Sequence, residues 1–406
     1  MKSTKKTFSI EDPRIGLRGY LVIDSVINGS STGGIRMLPD VTREEIEDLA
    51  RSMTAKHLFL NVPKGGARAG IVTPEGASRA LKQKLLNVFA EHVAHIIRSK
   101  KYLPAPDMGT DYEMIRDMHA HIDSDLSRTS KASANSAYYT ALSVFEAIRR
   151  SLEMKKKHIQ GARCVIEGFG GVGSNLALLL HGAGAPVIAV SNAHGAIKSS
   201  DGLNVSQMIT LRKRHGDNWM EYYTKELAHI SQEDIFALSA DVLCLCGRSY
   251  QVDAEVARRI SAMVVSAGAN NPVSKEADKV FFQRGIMYLP DFVSNSGGVL
   301  GNNMEFLGLG DKAIKKMFRE VLGSKFSDLL HISQVARKSP GEIADEMIFK
   351  KSSEIGRGKR KNKKLFRLAL FMFRNGLIPV VLARPFAYLY IKKMLNKDKK
   401  IYETLL

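Results

Sequence analysis

The sequence predicts an α/β protein of two domains with a basic C-terminal extension, on three observations: its length, a change of pattern near residue 135 and the placement of its charge. A single hydrophobic core stops growing near ~250–300 residues, so a chain of 406 residues divides into two or three units. With 44% hydrophobic and 25% charged residues it buries ordinary cores and is not disordered as a whole. From about residue 135, strand, glycine turn and helix alternate, as a parallel sheet with crossover helices requires.

Sixty Lys and Arg against 41 Asp and Glu give a net charge of +19, which at face value invites nucleic acid or an anionic membrane. Residues 350–406 alone hold sixteen Lys/Arg and three acids (Glu354, Asp398, Glu403), a net +13 that leaves +6 for residues 1–349. The body is only mildly basic, so no nucleic-acid partner is expected and the question attaches to the tail. Cys164, Cys244 and Cys246 are odd in number, and Cys244-x-Cys246 fits neither metal-knuckle nor redox spacing, which implies a reducing compartment and no metal site. The charged start MKSTKKTFSIEDP is followed by no apolar stretch, so the expectation is a cytoplasmic protein without a signal peptide.

Taken in order, residues 17–24 (LRGYLVID) read as a strand and NGSSTGG (28–34) as a loop. Thr42 and Glu45 form a capping box, after which Ile46, Leu49, Met53 and Leu58 follow helical spacing and deliver Lys56 near the helix end. Residues 79–100 are a second helix that closes on Arg98, Lys100 and Lys101. Beyond 135 the clearest unit is strand Arg163–Glu167, a glycine turn, helix Val172–His181 and strand Val187–Val190. Further strands are expected at Val242–Leu245, Met263–Val265 and Met287–Leu289. The domains are therefore 1–134 and 135–299, with 300–349 helical and returning to the first, and a basic amphipathic tail over 350–406.

Gly168-x-Gly170-x-x-Gly173, after a strand and opening a helix, is the pattern of a dinucleotide site. The first glycine permits the tight turn, the second lets backbone N–H groups reach a pyrophosphate, and the third allows close packing of helix on strand. Gly168, Gly170, Gly171, Val172 and Gly173 are thus candidate cofactor residues, against the alternative of a tight turn in a generic α/β sheet. The acid expected ~20 positions on to hold a ribose hydroxyl is absent: the second strand ends at Ser191-Asn192. Asn192 leaves NAD and NADP both open.

The first domain concentrates polar and glycine content in GGIRMLPD (33–40), MTAKHLFLNVPKGGARAGI (53–71) and YLPAPDMGTD (102–111). Lys56 ends the helix, Arg68 lies in a glycine-rich loop and Asp107 follows a Pro-Ala-Pro turn. Two cations beside one carboxylate suit a site in which the cations hold a substrate carboxylate or carbonyl and the acid moves a proton. An ordinary salt-bridged cluster of loops is the alternative.

These segments, with Thr140-Ala141, GFGGVGSNLA, DGLNV, SAGANNPVSKEAD, LPDFVSNSGGV and Glu305, closely resemble the glutamate/leucine/phenylalanine/valine dehydrogenase family over residues 17–306. The resemblance implies an N-terminal α/β substrate-binding and oligomerisation domain, a Rossmann-like dinucleotide-binding domain, and interconversion of an L-amino acid and its 2-oxo acid with NAD or NADP. It implies that Lys56 holds the substrate α-carboxylate, that Asp107 transfers a proton, that Gly33, Gly34 and Asn302 line the substrate pocket, and that Thr140 and Asn295 flank the nicotinamide. It also implies a homo-oligomer acting on a small-molecule substrate.

The departures are specific. Arg68 stands where the family places its catalytic lysine. A buried ammonium can lose its proton and act as a base, whereas an arginine stays protonated and can only polarise a carbonyl. Thr32 replaces a lysine that reaches the side-chain carboxylate in glutamate-specific members, which argues against glutamate. Leu245-Cys246-Gly247 replaces a proline–alanine–alanine segment, and Ala267 a glutamate. Two readings follow: an NAD(P)-dependent dehydrogenase for an uncharged amino acid, or a dinucleotide-binding pseudoenzyme.

In the tail, KKSSEIGRGKRKNKK (350–364) reads as a solvated linker. The apolar run after it is broken by Arg367, Arg374, Arg384, Pro379 and Pro385, which leave too short a stretch to span a bilayer. Its cations with Phe366, Phe371, Phe373, Phe386, Tyr388 and Tyr390 suit an anionic membrane surface; a helical pair docked on the protein is the alternative.

Overall fold

The computed structural model describes residues 5–124, 135–223, 228–357, 380–398, 401, 402 and 405. Contacts divide the chain into Met1–Ala134 with Lys351–Gly358, and Asn135–Lys350 with Lys359–Leu406.

The first unit is a five-stranded sheet of β1 (Lys6–Asp12), β2 (Leu17–Ile23), β3 (Ser31–Leu38), β4 (Gly65–Val72) and β5 (Tyr102–Pro106), with helices α1 (Arg43–Phe59), α2 (Arg79–Arg98) and α3 (Tyr112–His121). The strand order is β1-β2-β4-β3-β5, and β3 runs parallel to both β4 and β5. One face of the sheet packs Leu21, Ile35, Ala69 and Ile71 against Leu86 and Phe89 of α2 and Met118 of α3. The other carries Val22 against Ile46, Leu49 and Ala50 of α1. Residues 31–34 and the segment around Arg68, expected as loops, are strand. Their glycines have low strand propensity, but β3 is hydrogen-bonded on both sides, and tertiary pairing overrides local preference. The Pro-Ala-Pro segment is likewise the edge strand β5 rather than a turn, at a sheet edge where proline is tolerated.

The second unit opens with α4 (Ser136–Met154) and alternates through β6 (Cys164–Glu167), α5 (Gly171–Gly182), β7 (Val187–Asn192), β8 (Gly195–Lys198), α6 (Val205–His215), β9 (Ala228–Ile230), β10 (Val242–Leu245), α7 (Ala254–Arg259), β11 (Val264–Ala267), α8 (Lys275–Gln283) and β12 (Met287–Leu289). Its sheet order is β12-β11-β10-β6-β7-β8-β9. The five strands from β12 to β7 are parallel, and β8 and β9 add an antiparallel edge. Apolar clusters cover both faces of this sheet, as a parallel sheet requires.

After β12 come α9 (Asp291–Ser294), α10 (Gly297–Phe306), α11 (Asp311–Met317), α12 (Gly323–Ala336), α13 (Pro340–Arg357) and α14 (Val380–Leu395). Residues 300–349, expected to return to the first domain, belong to the second unit. The reason is packing along α4: Ser143 Oγ donates to the Ser294 carbonyl at 2.6 Å, and α10 and α12 both lie against α4. The return is made instead by Lys351–Gly358, where buried Lys351 donates from Nζ to the Leu58 carbonyl at 2.9 Å.

Residues 350–357, expected as the start of a solvated linker, are instead the end of α13; residues 358–364 and the run through Phe366, Arg367, Phe371, Phe373, Arg374 and Pro379 lie outside the described residues. Residues 380–398 dock on the second unit. Ile391, Met394 and Leu395 are buried, Arg384 Nε donates to the Gly308 carbonyl at 2.8 Å, and the buried ammonium of Lys325 pairs with the buried carboxylate of Asp398. Among the described residues no helix is long and apolar enough to cross a membrane. Asp398→Ala strands the Lys325 charge and is expected to cost about 3–5 kcal/mol, read as a lower urea midpoint. An Asp398→Leu/Lys325→Met double variant, which buries no charge, is expected to recover most of that loss.

Candidate functional site

Strand register places residues 34 and 36 of β3, 68 of β4 and 107 just past β5 on one face of the first sheet: Ile35 pairs with Ala69 and with Pro106, and side chains alternate. Arg68 Nη2 lies 3.2 Å from Asp107 Oδ1, and Arg36 Nε lies 2.9 Å from Asp107 Oδ2. Arg36 Nη1 continues to Glu45 Oε1 at 2.5 Å. Thr42 caps α1 through the Glu45 N–H at 3.2 Å, and the Glu45 side chain is thereby directed to Arg36 rather than to the reciprocal half of a capping box. Gly34 makes the room: a Cβ there would stand 2.7 Å from Asp107 Cβ and 2.8 Å from Arg68 Nη1. Asp107 is fixed by Thr110, whose hydroxyl accepts from the Asp107 N–H at 2.9 Å and donates to the Ile35 carbonyl at 2.8 Å.

This array holds its charges. Burial pushes the Asp107 carboxyl up, but the Arg68 and Arg36 guanidiniums outweigh it and keep the group below the usual aspartate range. Burial lowers Arg68 while Asp107 opposes that shift, and a guanidinium remains a cation. Arg68 Nε is buried and, among the described residues, has no acceptor. An unmet buried N–H costs about 1–3 kcal/mol, and an oxygen atom of a ligand would relieve it. Lys56 is buried in the last turn of α1, and Gly33 lies beside Gly34 on β3, where Tyr102 Oη donates to its carbonyl at 3.2 Å.

In the second unit the glycine turn connects β6 to α5. Gly168 has φ +89°, and a Cβ there would meet the Gly247 nitrogen at 2.4 Å. Gly173 packs equally closely, its Cβ position 2.0 Å from the Gly168 carbonyl oxygen. Gly170 differs: nothing stands within 4 Å of its Cβ position, and it caps α5 without a side-chain hydrogen bond. The uncapped helix start, which includes Gly171 and Val172, leaves N–H donors and positive dipole for a phosphate. Gly170→Val is therefore expected to keep the melting temperature within a few degrees yet weaken dinucleotide binding at least tenfold, measured by NADH fluorescence titration.

The remaining candidates divide. Asn295 is buried and donates from Nδ2 to the Ala269 carbonyl at 2.8 Å, while its Oδ1 has no partner among the described residues, an acceptor suited to an amide N–H. Thr140 Oγ1 donates to the Ser136 carbonyl at 2.9 Å and would be 2.6 Å from a Cβ on Gly298. Asn192 is engaged on both sides, accepting from the His194 N–H at 2.9 Å and donating to the Asp217 carbonyl at 2.6 Å. Asn302 lies on α10 and is half-buried. All three cysteines are free and buried, and no metal-binding group occurs among the described residues. Arg36, Glu45 and Glu167 were missed. A lone charge inside an apolar strand run, as in Gly-Gly-Ile-Arg-Met and Val-Ile-Glu-Gly, is the signal that points to two of them.

These features define a class: a two-domain α/β chain whose second unit has the fold of an NAD(P)-dependent dehydrogenase. Residues 133–331 match the Glutamate/Leucine/Phenylalanine/Valine dehydrogenase family and residues 5–124 the Glu/Leu/Phe/Val dehydrogenase dimerisation domain. The chain belongs to that family. It is 30% identical over 360 residues to an NAD-specific glutamate dehydrogenase of Staphylococcus aureus, covering 84% of this chain and 85% of that one. A catabolic NAD-specific glutamate dehydrogenase of Bacillus subtilis is 29% identical over 349 residues, 81% of each. Among solved structures, the hetero-hexameric glutamate dehydrogenase of Thermus thermophilus in a Leu-bound form superposes with a TM-score of 0.74 at 25% identity, covering 87% of this chain and 90% of that one.

Proposed function

We propose that the protein is an oligomeric NAD(P)-dependent oxidoreductase that interconverts an L-amino acid with an uncharged side chain and its 2-oxo acid. The observation that carries this reading is the buried N–H of Arg68, without an acceptor among the described residues, at the position where the resemblance places a catalytic cation. A bound dinucleotide supplies hydride exchange at the substrate α-carbon. Lys56 holds the α-carboxylate, Arg68 Nε polarises the oxo oxygen, and Asp107 takes and returns the proton of the amino group once substrate draws Arg68 away. Thr32 supports the uncharged side chain: its hydroxyl donates to the Leu103 carbonyl at 2.8 Å, so it offers no cation to a second carboxylate. The S. aureus and B. subtilis relatives named above are NAD-specific; Asn192 carries no charge to exclude a 2′-phosphate, and NADP remains a second cofactor for this chain.

The alternative, cofactor binding without turnover, draws on the clamp of Asp107 between Arg36 and Arg68, which opposes proton exchange. NAD(P)H absorbance over a panel of amino acids, and of 2-oxo acids with ammonia, separates the two. Turnover that collapses in Asp107→Asn supports the dehydrogenase. Dinucleotide binding with no turnover on any substrate supports the alternative, and absence of both overturns each.

A further inference from the structure

Glu167 ends β6, immediately before the first glycine of the turn, and is buried. Its Oε2 accepts from the Gly247 N–H at 3.0 Å. Its Oε1 stands 2.0 Å from the Cβ position of Gly247, so an alanine at 247 and this carboxyl exclude one another. Residue 247 closes the segment in which Leu245-Cys246-Gly247 departs from the related pattern, and the carboxyl fills the volume that the missing side chain leaves. Gly168 in turn touches Gly247, its Cβ position 2.4 Å from the Gly247 nitrogen. The carboxyl therefore braces the glycine turn against the end of β10.

Among the described residues no cation acts on this acid. The groups that face it are the Gly247 and Cys246 N–H groups and the Cys246 thiol, which burial keeps protonated. On the β7 side, Ser191 Oγ accepts from the Gly168 N–H at 3.1 Å and adds no titratable group. Burial, opposed by those N–H donors, pushes the Glu167 carboxyl up to about 7. An ionised carboxylate one residue from a turn that receives a pyrophosphate repels it in a low-dielectric setting.

We propose that Glu167 is a positioning residue for the dinucleotide: its neutral carboxyl braces Gly168 against Gly247, and its ionisation weakens cofactor binding. This rests on the dinucleotide reading above. The test is the dissociation constant of NADH, or of NADPH if that binds more tightly, by fluorescence titration of the full chain between pH 5.5 and 9. The wild-type protein is expected to bind at least about tenfold more weakly at pH 8.5 than at pH 6, since a carboxylate and a phosphate repel one another in a partly buried site. Glu167→Gln, which keeps the volume and cannot ionise, is expected to vary less than about twofold over that range. If Glu167→Gln lowers folded yield, Glu167→Met serves the same purpose. A pH-independent wild-type constant, or the same pH dependence in both variants, overturns the inference while leaving the dinucleotide reading in place. Absence of binding at every pH overturns that reading and this inference with it.

Discussion

Arg68→Lys is expected to raise kcat for oxidative deamination by about 100-fold or more, the scale of a general base restored to its place. The position is buried and already lined for a cation, with Asp107 3.2 Å from the guanidinium. A lysine there is desolvated, so its ammonium can shed a proton at working pH, whereas arginine cannot. The shorter side chain also releases one of the two arginine contacts on Asp107, freeing a carboxylate oxygen for the substrate amine. The measurement is NAD(P)H formation with the best amino acid from the panel, with kcat and KM taken separately. A change confined to KM, or no gain at all, means that the base is not what limits turnover and favours the binding-only reading.

Asp107→Asn is expected to abolish turnover and to cost about 3–5 kcal/mol of stability, because it leaves the Arg36 and Arg68 guanidiniums, both buried, without their shared counter-charge. The dependence on pH has a definite sign. The Asp107 carboxyl is held below its ordinary value by the two arginines, so its contribution is fully present above the usual aspartate range and is lost as pH falls through the depressed folded-state value. Urea unfolding at pH 7 should therefore show the full difference between wild type and variant, and the gap should close on strong acidification. Equal stabilities at pH 7 would show that the array carries no net ion-pair energy.

Much of the fold was legible before any coordinates. The strands at 164–167, 187–192, 242–245, 264–267 and 287–289 are short apolar runs bounded by glycine and polar turns, and a parallel sheet covered on both faces produces that pattern. The helix starts at Thr42 and Ser78 carry their own caps. What misled was glycine. Ser31–Gly34 and Gly65–Gly70 read as loops because glycine lacks a side chain to pack, yet there its value is the space it leaves: Gly34 opens the face on which Arg68 meets Asp107. Local composition reports propensity, while the need for close approach comes from residues 34 to 73 positions away in sequence.

The candidate site divides in the same way. Residue types and motif spacing nominated Lys56, Arg68, Asp107 and the Gly168–Gly173 turn, and the family resemblance set Arg68 in a lysine's place; neither needs coordinates. Sequence alone also determined that the excess charge belongs to the tail. Tertiary structure decided which charges pair: Arg36, from an apolar strand, takes one oxygen of Asp107, Glu45 takes Arg36, and Asp398 reaches back to Lys325. It also decided that residues 380–398 dock on the second unit and that Glu167 fills the volume left at Gly247. Pairing depends on strand order and register, which arise from long-range contacts, and a buried charge takes its protonation from neighbours that the chain brings together only on folding.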